Sequence, residues 1–178
     1  MGHDRPVPTD PSPTSGRGPD PAARAAGYAR AELRVELAGA RLLLVPRAAG
    51  TTLGSFPFAR TVHVVTAADP GPVRLAPGEN AARHAALLAD PALLGRRRAD
   101  TVTAAADGTH AETGILLEGL DDDEARALGA RFGQDAVFRW SRDAWSVLPC
   151  GPGEPTVLGW ETRTSEAGDP GAGVEEDP

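Results

Sequence analysis

Six side chains in the middle of the chain are of types that can hold a ligand or move a proton: Thr66, Asp69, Glu79, Asn80, Arg83 and Glu112. The first five fall within one short stretch that reads as strand end, loop and helix start, so the chain brings them near one another. Glu79 and Arg83 stand four apart on one helix face. One reading is a shallow polar pocket at the helix start. There Arg83 and backbone N–H groups would hold an anionic group, and Glu79 or Glu112 would serve as acid or base. The other reading is structural and carries more weight: an i to i+4 ion pair, turns capped by Asn80 and Asp69, and Glu112 paired to an arginine across a sheet.

Other chemistry is weaker in the sequence. His110 and Glu112 stand two apart on an expected strand and would share a face, with His84 or Asp69 as borrowed partners. Two ligands at that spacing do not make a metal site, so no metal and no cofactor is assigned. Cys150 is the single cysteine, which excludes an intramolecular disulfide, and no neighbouring His activates it; a half-buried strand-end residue is the simpler reading. No phosphate-binding loop, dinucleotide fingerprint or nucleophile elbow is present, and no catalytic residue is assigned.

The elements that would position these groups follow from periodicity. In AELRVEL, Leu33, Val35 and Leu37 alternate with charged residues, the pattern of a strand with one wet face, and RLLLV after the AGA turn completes a hairpin. GTTLGSFPFAR is a loop whose Phe56 and Phe58 anchor to the core, and TVHVVTA is a third strand. A helix starts near Pro77, where the missing N–H costs nothing, and Pro91 ends it. Two strands around Asp107-Gly108 follow. Then DDDEARALGARFG spells a second helix, from an Asp121 or Asp122 cap to the Gly133 stop. The stretch RFGQDAVFRWSRDAWSVLPC closes with an aromatic hairpin rather than an active-site loop, with Phe138 and Trp140 on one strand face and Trp145 and Val147 on one face of the next.

The string β-β-β-α-β-β-α-β-β predicts an α+β fold. Its core, β-α-β-β-α-β, has the order of a ferredoxin-like antiparallel sheet with two helices on one face, extended by an N-terminal hairpin and an extra C-terminal strand. Residues 28–160 form the single domain in this reading. Residues 1–27, rich in Pro and Gly, and the acidic residues 161–178 read as disordered tails. The chain carries a formal net charge of −7, much of it in residues 161–178, where six acids face one Arg. The remainder is near neutral, which argues against nucleic acid and anionic membranes as partners. The one dense cationic run, Arg96 to Arg98, reads as a solvated turn. All basic residues are Arg, a bias expected of a GC-rich bacterial genome, and with no leader-like or membrane-spanning apolar run the expected location is cytoplasmic.

Three segments, VHVVTAADPGPVRLAPGENAARHAALLAD, HAETGILLEGL and LGARFGQDAVFRWSRDAWSVLPC, resemble the bacterial family known as domain of unknown function 3293 (DUF3293), over residues 56–150. The resemblance rests on Thr66, Ala67, Asp69 and Pro70; on Glu79, Asn80 and Arg83; on Glu112; and on Phe132, Gly133 and Gln134. Asp69 and His84 stand where the family pattern leads one to expect Asn. The family implies no activity.

The expected function is therefore a noncatalytic binding or interaction module for a protein or small-molecule ligand. The alternative is a small enzyme or ligand sensor with the polar pocket described above. The surroundings of Glu112 discriminate: a concavity shared with Arg83, Thr66 and Gln134 favours the second reading, and a flat sheet face favours the first.

Overall fold

The computed structural model describes residues 26–166, apart from residues 38, 72, 107 and 109. Of the expected tails, residues 1–25 and 167–178 lie outside the described residues, as does the Asp107 half of the expected tight turn.

Among the described residues, nine strands and two complete α-helices follow one another. They are β1 (Glu32–Leu37), β2 (Ala40–Arg47), β3 (Thr52–Leu53), β4 (Val62–Thr66), α1 (Pro77–Leu88), β5 (Arg98–Ala104), β6 (Ala111–Glu118), α2 (Asp122–Arg131), β7 (Ala136–Trp140), β8 (Trp145–Pro149) and β9 (Thr156–Glu166). A 3-10 turn, Pro91–Leu93, follows α1. Local chemistry accounts for the ends of the helices. Pro77 opens α1 at a position where no N–H is needed, Asp121 caps α2 by accepting from the Glu124 N–H, and Gly133 takes a left-handed φ of 71° just past α2.

The sheet order β2-β1-β5-β6-β4-β7-β8-β9 returns on itself, because β9 also pairs antiparallel with β2 from Ala40↔Glu166 to Arg47↔Gly159. The result is a closed antiparallel barrel of eight strands, with the two-residue β3 added in parallel beside β9. This corrects the expected ferredoxin-like α+β fold. The strands flanking the helices do lie side by side as β5-β6-β4-β7, yet the sheet continues past both of them. Hairpin β1–β2 extends it from β5, β8 and β9 extend it from β7, and the two extensions meet. Closure removes the unpaired edges an open sheet would present to other chains. The strand that completes it, β9, runs through residues 161–166, which the composition had assigned to the tail.

The registers place alternate residues inside. Leu33, Val35, Leu42, Leu44, Val62, Val64, Leu116, Phe138, Trp140, Trp145 and Val147 form one buried cluster with Trp160 and Phe58. Eight strands enclose just enough room for side chains, and here aromatics supply the bulk. At one end Trp140 meets Phe56, Phe58 and Trp160 edge-on, with centroids 5.2, 5.4 and 5.7 Å away, and plugs the barrel. Phe138 stacks on Trp145 at 4.8 Å nearer the middle. A second cluster lies outside, where Val65, Ile115, Leu117, Val137 and Leu148 are covered by Leu87 of α1 and by Ala125 and Leu128 of α2. β4 is therefore buried on both faces along its whole length. No helix among the described residues is long and apolar enough to cross a membrane.

Candidate functional site

The barrel end opposite the aromatic plug opens into a pocket of about 270 Å³. Three inward positions supply its polar wall. Thr66 ends β4, Glu112 is the second residue of β6, and Thr103 of β5 is the cross-strand partner of Glu112. The apolar wall comes from Ala31, Ala104 and Phe138, with Tyr28 edge-on to Phe138 at 6.2 Å. Gly114 sits just below Glu112 on the same face. A Cβ there would come within 2.9 Å of Thr66 Cγ2, so the polar wall could not close to this spacing around a larger residue.

Gln134 joins the pocket through the end of α2. Gly133 lets the chain reverse, and a Cβ on it would lie 2.9 Å from Pro70 Cβ, so the turn presses against the loop after β4. Gln134 Nε2 donates to the Ala68 carbonyl at 2.7 Å, which leaves its Oε1 facing Thr66 Oγ1 at 2.9 Å. Thr66 Oγ1 is also 2.8 Å from Glu112 Oε2. One hydroxyl proton thus stands between two acceptor oxygens.

Asp69 reaches the rim through an uncommon backbone. Its φ of 41° lies in the left-handed region, which Asp and Asn enter at less cost than other side-chain-bearing residues. Asn80 locks it there: its Oδ1 accepts from the Asp69 N–H at 3.0 Å and its Nδ2 donates to Asp69 Oδ1 at 2.9 Å. Burial raises the Asp69 pKa, but hydrogen bonds from the Leu75 N–H and Asn80, together with the charge of Arg74, outweigh it and hold the carboxyl below its ordinary range. Across the rim, His110 Nε2 lies 2.6 Å from Glu112 Oε1. The Arg74 guanidinium bridges the two sides, 3.3 Å from Asp69 Oδ2 and in contact with His110 Nδ1.

Thr66, Asp69, Glu112 and Gln134 therefore share one pocket, while the remaining expected site residues serve as its scaffold. Arg83 donates from Nε to the Ala67 carbonyl at 2.6 Å and from Nη2 to the Phe132 carbonyl, tying α1 to the loop after β4 and to the end of α2. Glu79 accepts from the Ala76 N–H at 3.1 Å and caps its own helix, and Asn80 holds Asp69. Glu112 faces Thr66 and His110, where an arginine across the sheet was expected. His84 lines a separate groove outside the barrel.

Sequence reasoning missed Arg74, Thr103, Tyr28 and Phe138 as pocket residues. Thr103 becomes visible only through the β5–β6 register, and Arg74 sits in a loop with no periodic signal. Elsewhere, Arg96 ties its turn to the Gly119 carbonyl and to Glu124, and Cys150 lies on the outer side against Gly129. Burial pushes the Cys150 thiol up to about 11 against the opposing charge of Arg126, which leaves it a poor nucleophile at neutral pH.

Residues 65–137 match the family model described as "Protein of unknown function (DUF3293)". The matched stretch contains Thr66, Asp69, Arg74, Thr103, His110, Glu112 and Gln134, and leaves out β1, β2, β3, β8 and β9 and parts of β4 and β7. No curated protein and no solved structure matches the chain.

Proposed function

We propose that this barrel is a noncatalytic binding domain whose open end takes a small ligand bearing a hydrogen-bond-donating or cationic head on a compact apolar body. One observation carries this reading. Thr66, Glu112 and Gln134 converge at the bottom of a concavity and offer it more acceptors than donors, while Arg83, the cation expected to hold an anion, is spent on two backbone carbonyls. A donor such as an ammonium, amidine or amide N–H would fill the acceptor that the Thr66 proton cannot serve. Phe138 and Tyr28 would receive the apolar part, and the pocket's volume limits the ligand to a small one. The arrangement favours holding over turnover, because the hydroxyl bonded to a carboxylate, Thr66, is 7% exposed and shared with Gln134.

The test is a ligand-observed NMR screen in the presence of a chelator, comparing small aromatic and aliphatic amines with carboxylates of the same skeleton. Amines should bind the parent, with weaker binding to Glu112→Gln and to Phe138→Leu. Equal binding of the carboxylates, or amine binding indifferent to Glu112→Gln, would rule the reading out.

A further inference from the structure

The pocket rim holds a second arrangement of groups, separable from the ligand reading above. Asp69, His110 and Glu112 each present one ligand atom, and the three atoms lie within 4.8 Å of one another. They come from different parts of the chain: the left-handed residue after β4, the residue that precedes β6, and the second residue of β6. We infer that these three side chains form a binding site for a divalent metal ion of the zinc or manganese class.

The surroundings supply what such a site needs. One imidazole and two carboxylates suit borderline divalent ions, whereas Ca²⁺ asks for six to eight oxygens. The carboxylates are already oriented. Thr66 holds Glu112 through Oε2 and leaves Oε1 on the His110 side, and Asn80 with the Leu75 N–H holds Asp69 Oδ1 and leaves Oδ2 on the rim. Hydrogen bonds to the far oxygen of a ligating carboxylate fix its direction and tune its strength.

Two independent observations point to an occupant. Thr103, 9% exposed and directly across from Glu112, is a residue of this pocket, and its buried hydroxyl finds no partner among the described residues. That hydroxyl, sealed from solvent as it stands, would gain a partner if the entering ion brought a water against it. In addition, a cationic group already sits among the ligands. Arg74 Nη1 lies 3.3 Å from Asp69 Oδ2 and 3.4 Å from His110 Nε2, on a side chain 67% exposed. The guanidinium stands where a cation is favoured, and an exposed side chain can swing into solvent when the ion enters. Arg74 is thus the ion's competitor, which a purely structural ion pair would not be.

The experiment is calorimetric titration of the full chain, stripped with chelator and free of organic ligand, with Zn²⁺, Mn²⁺ and Ca²⁺ separately. Expected is one saturable site per chain for Zn²⁺ or Mn²⁺ and none of comparable affinity for Ca²⁺. His110→Ala and Glu112→Gln should each weaken it by at least about tenfold, and Arg74→Ala should tighten it several-fold. Co²⁺ absorption in the visible region gives a second readout on the same variants, and circular dichroism checks their folding. Absence of saturable binding, or Zn²⁺ affinity unchanged in both His110→Ala and Glu112→Gln, would overturn the inference. So would Arg74→Ala binding more weakly than the parent. Because the amine screen is run with chelator and this titration without amines, either reading can fail without the other.

Discussion

Thr66 Oγ1 and Glu112 Oε2 lie 2.8 Å apart on the inner wall of the barrel, although their positions in the chain differ by 46. The contact exists because β4 and β6 are antiparallel neighbours in the register Thr66↔Gly114, which sets the end of one strand beside the start of the other. It joins the loop after β4, the end of α2 and the β5–β6 hairpin into one wall.

Replacing the hydroxyl tests this joint. Thr66→Val keeps the shape and leaves Gln134 Oε1 and Glu112 Oε2 without their shared donor. The penalty for unmet partners is about 1–3 kcal/mol when fully buried, and access of water to Glu112, 20% exposed, should keep it near about 1 kcal/mol. Urea denaturation should show a lower midpoint with an unchanged slope. An unchanged midpoint would mean that the two acceptors are satisfied without Thr66.

The pH dependence of stability should carry the signature of His63. It is 1% exposed, with Nε2 2.9 Å from Asp122 Oδ1. Burial lowers its pKa below 6.5 and prevails over the hydrogen bond and charge of Asp122, which raise it; nearby Arg139 also lowers it and Asp121 raises it. Below pH 6.5 the unfolded chain therefore takes up a proton that the folded chain resists, so stability falls as pH drops through that value toward the folded pKa. Urea midpoints at pH 7.5 and 5.5 should differ more for the parent than for His63→Gln. Equal differences would remove His63 as the cause.

Barrel closure should be sensitive at Gly159. There β9 leaves β8 and takes up β2, and a Cβ would lie 2.2 Å from the Thr51 carbonyl oxygen and 2.3 Å from that of Ala48. Those are backbone atoms, so the chain itself must move. Gly159→Ala should cost about 1–3 kcal/mol, as overpacking does, and should speed amide exchange in β2 and β9 ahead of β4. Uniform exchange across all strands would argue that β9 is not the seam.

Much of the local structure was legible. Alternation marked β1 and β6, the apolar run RLLLV after a turn marked β2, the Asp107-Gly108 pair marked β5 and β6 as neighbours, the Pro77 start and the Asp121 and Gly133 ends marked the helices, and the aromatic hairpin was readable from Phe138 to Val147. These features depend on near neighbours in the chain. The groups that share the pocket were legible by type but not by role: Arg83 belongs to the scaffold because two carbonyls, of Ala67 and Phe132, converge on it in space. Open sheet against closed barrel was decided by tertiary structure alone. Residues 161–166 look like tail by charge, yet they form strand because β2 offers them an unpaired edge. A strand's own residues set its pleat and its two faces, but whether its edges find partners depends on where distant strands lie, and no local pattern records that distance.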